Sequence, residues 1–157
     1  DSPDLILLVV GDGSSRRALE VESERLGLGN RSLFTGYVAR EEVHAILANA
    51  SLFLFPLGDD LMSRCKSPLV VVEAMAHGLP IVASSVGEVP FLLGDGGVLV
   101  EGLAAENWRS ALRQVLDDPS LASRLGRLAR TRFAEAFTWP AVVDSLEKAY
   151  RTALVEN

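Results

Sequence analysis

Five short apolar runs alternate with segments of helical spacing, and this alternation constrains the fold more than any other feature of the chain. The runs cover residues 5–10 (LILLVV), 32–35, 51–56 (SLFLFP), 81–83 and 97–100. The first ends in Gly11-Asp12-Gly13 and the second in Gly36. A continuous apolar run closed by glycine predicts a strand buried on both faces. Helices are predicted over 16–26, 40–50, 68–77, 103–116, 119–137 and 139–155, with Gly78 and Pro80 ending the third. Strands alternating with helices mean βα units and an α/β fold: a mainly parallel sheet with helices on both faces. Ligands of such sheets bind beyond the carboxyl ends of the strands. The informative loops are therefore 11–15, 36–39, 57–67 and 84–90, all expected on one edge.

Bulk properties narrow the classes. At 157 residues and 48% hydrophobic content the chain suits one domain with a sizeable core. Fifteen basic and 21 acidic residues give a net charge of −6, which argues against a nucleic-acid partner. The single Cys65 has no partner for an internal disulfide, so a reducing, cytoplasmic setting is expected. No apolar run reaches the ~20 residues of a membrane span. The start DSPDLILLVV enters a strand almost at once, the expectation for a piece of a longer protein.

Gly11-Asp12-Gly13 invites a dinucleotide reading, but the fingerprint is incomplete. Position 16, where a third glycine belongs, is Arg, and no acid stands about 20 residues on. A tight strand-to-helix turn remains, and glycine lets a ligand approach such a backbone closely.

Lys66-Ser67-Pro68 is more specific. Serine favours the N-cap and proline the first helical position, so a helix starting at Pro68 is predicted. Free N–H groups and the positive dipole end collect there, with Lys66 and Arg64 beside them, and a phosphate would be held well. The alternative leaves both cations as solvated loop charges. Glu73 is the only formally charged residue between Pro68 and Val86. It lies five residues beyond Pro68, ~7–8 Å along the axis. A nucleoside diphosphate docked at the helix start could lay its ribose there, and vicinal hydroxyls match an acceptor-only carboxylate. Against this stands a glutamate that merely marks a solvent-facing helix edge. Val70, Val71, Val72, Ala74, Met75 and Ala76 surround it with apolar surface, where an unpartnered carboxylate is costly. His44 and His77 read as structural, and one Cys with two His gives no zinc spacing, so no metal is expected. Neither a Gly-x-Ser-x-Gly elbow nor a Walker lysine motif occurs.

The ordered segments VVGDGSSRRALE, LFTGYV, FLFP, SPLVVVEAMAHGLPIVAS, VGEVP, GGVLV and FTW resemble the group 1 glycosyltransferases of GT-B fold. The resemblance implies a Rossmann-like domain that binds a nucleotide-diphosphate sugar as substrate, with no cofactor. Residues 1–157 would form most of that C-terminal domain, with residues 138–157 as its last helix. The acceptor-binding N-terminal domain and the first βα unit would be absent, and with them the family's catalytic histidine. Any peripheral membrane contact would run through the absent domain. By resemblance Glu73 is the second glutamate of an E-x7-E motif that holds the ribose hydroxyls. Lys66, Ser67, Pro68 and Leu69 match the segment facing the diphosphate and donor sugar, Tyr37 and Val38 the loop bordering the base, and Gly11 and Gly13 a turn lining the donor cleft.

One position departs from that pattern. The first motif glutamate, which touches the donor sugar, falls at Cys65. The resemblance thus implies a donor-binding piece of a retaining glycosyltransferase, inactive by itself. A non-catalytic nucleotide-sugar-binding module and a GT-B-like nucleotide-sugar epimerase are the alternatives.

Overall fold

A computed structural model describes residues 5–155, so the ends of the 1–157 span lie outside the described residues. The order is β1 (Leu7–Val10), α1 (Arg16–Arg25), a 3-10 turn (Gly29–Arg31), β2 (Ser32–Gly36), α2 (Arg40–Asn49), β3 (Phe53–Phe55) and α3 (Leu61–Arg64). It continues with α4 (Leu69–Ala76), β4 (Ile81–Ser84), α5 (Val89–Leu93), β5 (Gly97–Val100), α6 (Ala105–Leu116), α7 (Pro119–Ala136) and α8 (Trp139–Val155). The strand pairs are parallel throughout, β1 with β2 and β3-β4-β5 in that order, and helices flank them. The α/β class read from the alternation is the fold observed. Contacts gather in two compact units, Asp1–Ile46 and Leu47–Asn157.

In the first unit Leu7 stands opposite Ser32 and Val9 opposite Phe34. The register then slips, so Val10 pairs with Gly36. The run 5–10 is not the doubly covered strand its composition predicts: Leu7 is 45% exposed and Leu8 39%. A hydrophobic run is buried only if something covers it, and among the described residues β1 pairs with β2 alone. No described hydrophobic side chain before Leu47 is buried. The buried polar side chains of this unit are Ser23 and Ser32, whose hydroxyls hydrogen-bond to each other.

The second unit holds the core. β4 lies between β3 and β5, with Ile81 opposite Phe53 on one side and Gly97 on the other. Its side chains Ile81, Val82, Ala83 and Ser84 are completely buried, as a central parallel strand requires. Val82 and Val100 pack with Ala111, Val115 and Leu125 from α6 and α7. Asp118 starts α7 by accepting from the Ser120 and Leu121 N–H groups, both at 3.0 Å. In α7 the buried positions are Leu125, Gly126 and Ala129, whereas Leu128 is partly exposed. α8 leaves Trp139, Val143, Leu146, Tyr150 and Leu154 exposed. Two short helices stand where none was predicted: α3 inside the 57–67 loop and α5 after the 84–88 turn.

Candidate functional site

The glycine turn lies at the carboxyl edge of the β1-β2 sheet. The Gly11 N–H donates to the Gly36 carbonyl at 2.9 Å, so the ends of both strands are tied together. Gly11 has φ +118° and Gly36 φ +70°, conformations suited to glycine. Arg16 closes the turn. Its guanidinium donates to Glu20 at 2.8 Å, to Asp12 at 3.2 Å and to the Phe34 carbonyl at 3.4 Å. A β-carbon on Gly36 would stand 2.7 Å from an Arg16 guanidinium nitrogen. The side chain at the position of the third fingerprint glycine thus serves as a brace across the turn. Its carboxylate partners hold the Arg16 pKa above the ordinary arginine value. Gly11 and Gly13 line an open pocket of about 320 Å³ with Ser14, Ser15 and Leu19. Tyr37, 85% exposed, and Val38, half-buried, follow β2 on the same edge.

In the second unit the matching edge is built around one hydroxyl. Fully buried Ser84 accepts from the Leu57 N–H at 2.7 Å and donates to the Leu57 carbonyl at 3.0 Å. The chain leaving β3 is therefore fastened to the end of β4. Asp60 then starts α3: its carboxylate accepts from the Ser63 N–H at 3.0 Å and the Ser63 hydroxyl at 2.9 Å. These bonds, led by the backbone one, hold the Asp60 carboxyl below its ordinary range, and nearby Lys66 adds to the effect. Gly87, in the turn after β4, packs on α3. With φ +59°, its β-carbon would meet the Arg64 carbonyl at 2.9 Å. The 57–67 loop and the opening of the predicted 84–90 loop are thus brought together on this edge of the second unit.

Arg64 does not serve as a second free cation. It grips Asp59 with two bonds of 2.6 and 2.8 Å, and this partner raises its pKa. Lys66 is exposed and joins no ion pair among the described residues. Cys65 is an exposed free thiol at the end of α3.

α4 starts one residue later than predicted. Pro68, not Ser67, is the N-cap, with ψ 99°, and Leu69 is the first helical residue. The Pro68 carbonyl accepts from the Val71 N–H at 3.0 Å, and no side chain caps the helix. Ser67 and Leu69 are both exposed, so the opening N–H groups sit at an open surface with Lys66 alongside. α4 is not buried all round. Val71, Ala74 and Met75 form its covered face, while Leu69, Val70, Val72, Glu73 and Ala76 make up the rest. Glu73 is half-buried; its carbonyl accepts from the His77 N–H, but its carboxylate has no hydrogen bond or ion pair among the described residues. Neither a basic side chain nor full hydration has claimed it. The arrangement offers a helix N-terminus and lysine for an anion, and ~6 Å along the axis from Leu69 a carboxylate for hydroxyl donors.

His77 ends α4 and His44 lies in α2. Among the described residues no three of His, Cys, Asp and Glu gather as a metal site, and no helix is long and apolar enough to cross a membrane. The sequence reading missed Asp60, Ser84 and Gly87. Asp60 is a favoured N-cap residue that could have located α3, whereas the Ser84–Leu57 tie spans 27 residues and leaves no local trace.

The model of the family "Glycosyl transferases group 1" matches residues 1–118. A D-inositol 3-phosphate glycosyltransferase of Streptomyces avermitilis is 32% identical over 96% of this chain and 33% of its own length. Its counterpart in Corynebacterium diphtheriae is 33% identical over 96% of this chain and 35% of its own. The chain thus spans about a third of the length of these curated relatives. Among solved structures, the sucrose-phosphate synthase of Thermosynechococcus elongatus superposes with TM-score 0.76 at 28% identity, covering 96% of this chain and 39% of that one. Anabaena HepE, solved with UDP-glucose, shares the fold at TM-score 0.78 and 22% identity, over 96% of this chain and 42% of that one.

Proposed function

Because the chain belongs to the group 1 glycosyl transferases, we propose that it is the donor-binding part of such an enzyme, holding a nucleotide-diphosphate sugar for retaining transfer of the glycosyl group to an acceptor hydroxyl. The observation that carries this reading is Glu73, a half-buried carboxylate without a partner, about one turn beyond the first residue of an uncapped helix. The diphosphate rests on the N–H groups at Leu69 and Val70, with Lys66 supplying the countercharge. The ribose hydroxyls donate to Glu73. When the glycosyl bond breaks, negative charge grows on the diphosphate, where the dipole of α4 and Lys66 stabilise it. Glu73 takes no proton in this scheme; it fixes the nucleotide so that the sugar carbon is presented in one orientation.

Calorimetric titration with UDP and GDP tests the reading. One of them binds, and Glu73→Gln weakens it by about 10–100-fold, the loss expected for hydrogen bonds to a charged acceptor. Binding of neither nucleotide, or unchanged affinity in Glu73→Gln, overturns it. Cys65 in place of the first motif glutamate favours one second reading, a module that binds nucleotide sugar without turning it over. Nucleotide binding without release of nucleotide from a donor sugar by the whole protein selects that module.

A further inference from the structure

The opposite end of the second unit carries a different concavity. α4 begins at the carboxyl edge of its sheet and ends at His77, and Gly78 and Leu79 lead directly into β4. At that amino edge an open pocket of about 420 Å³ is lined by Ser51, His77, Gly78 and, from α7, Ser123, Arg127 and Arg130. No acidic residue lines it.

The pocket exists because two backbones meet. A β-carbon on Gly126 would stand 2.2 Å from the Gly78 carbonyl oxygen, so only glycine lets α7 cross the turn this closely. The crossing sets the face of α7 that bears Ser123, Gly126, Arg127 and Arg130 against the turn. The stem of Arg130 lies beside Gly78, its δ-carbon 3.6 Å from where a β-carbon there would be.

Charge distinguishes this helix. In a chain of net charge −6, α7 holds Arg124, Arg127, Arg130 and Arg132 against one acid, Glu135. Arg132 is occupied: it donates to the Leu92 carbonyl at 2.7 Å and to that of Phe91, and stacks on the Phe91 and Phe137 rings. Arg127 donates to the Ser123 hydroxyl at 2.6 Å. No carboxylate pairs with Arg127 or Arg130 among the described residues. A lone solvated arginine needs no counterion. Two guanidinium groups that no carboxylate neutralises border one hollow, and guanidinium forks match phosphate oxygens two at a time.

We propose that this pocket is a second anion site, taking a phosphate group borne by a small molecule or by a lipid headgroup. Its position at the far end of α4, ~12 Å of helix from Leu69, sets it apart from the nucleotide reading and makes it independent of that reading.

Titration of the whole protein with inorganic phosphate, followed by NMR at the Nε–H groups of Arg127 and Arg130 and the His77 ring, tests the proposal. These signals shift saturably, and the R127Q/R130Q pair weakens the response of the His77 ring ~10-fold or more, whereas R124Q, on the same helix but outside the pocket, leaves it intact. Co-sedimentation with phosphatidylglycerol vesicles, against phosphatidylcholine vesicles, separates the sources. Vesicle binding lost in R127Q/R130Q assigns a lipid headgroup; a phosphate response without vesicle binding assigns a small molecule. Absence of both signals, persistence of either one in R127Q/R130Q, or equal loss in R124Q overturns the proposal. Both pocket arginines are exposed, so their replacement leaves the core intact, and the unsubstituted protein already provides a decisive titration.

Discussion

Single side chains on the carboxyl edge divide into those that hold the scaffold and those that do not. The Glu73 carboxylate makes no internal bond among the described residues, so Glu73→Gln is expected to leave the urea midpoint unchanged, within ~0.5 kcal/mol, while nucleotide affinity falls. Ser84 is the reverse case. Ser84→Ala strands the Leu57 N–H and carbonyl, and a loss of about 1–3 kcal/mol in urea unfolding is expected. Asp60 gives the edge a pH response. Its folded pKa lies below the ordinary 3.8, so its contribution is complete above the unfolded value and disappears as pH falls through the folded one. Thermal melts taken from neutral pH to below 3.8 should fall less steeply for Asp60→Asn than for the parent protein.

At the scale of elements, the crossing of α7 over the Gly78 turn reverses a general rule. Alanine in place of a mid-helix glycine ordinarily stabilises by ~1 kcal/mol. At Gly126 the added carbon would enter the Gly78 carbonyl, so Gly126→Ala is expected to destabilise by about 2 kcal/mol or more in urea unfolding. The longer elements were legible because each carries several periods of its own pattern: α2, α6, α7 and α8 lie within a residue or two of the spans read from spacing. α3 and α5 were not, since LMSR and VPFLL are too short to show a period. Of the proposed site, Glu73 and the opening of α4 could be read because an isolated charge and a Ser-Pro pair are local signals. The pairing of Arg64 with Asp59 could not, because a loop carries no periodicity to say which neighbours meet. Nor was the exposure of β1 legible: LILLVV records that the strand is apolar and is silent on what covers it.

Over the whole molecule, apolar burial is unevenly shared. Every buried hydrophobic side chain among the described residues lies at Leu47 or beyond. Local opening is easiest where few apolar contacts must be broken. Amide hydrogen exchange should therefore be faster in β1 and β2 than in β4 and β5, by a factor of ~10 or more for each 1.4 kcal/mol that separates their opening free energies. Equal protection of both sheets would contradict this. The grip of Ser84 on Leu57 has one more consequence, for motion. The ribbon leaving β3 is moored at its root by Ser84 and held again at α3 by Gly87, so it cannot slide out of step with the strand beside it.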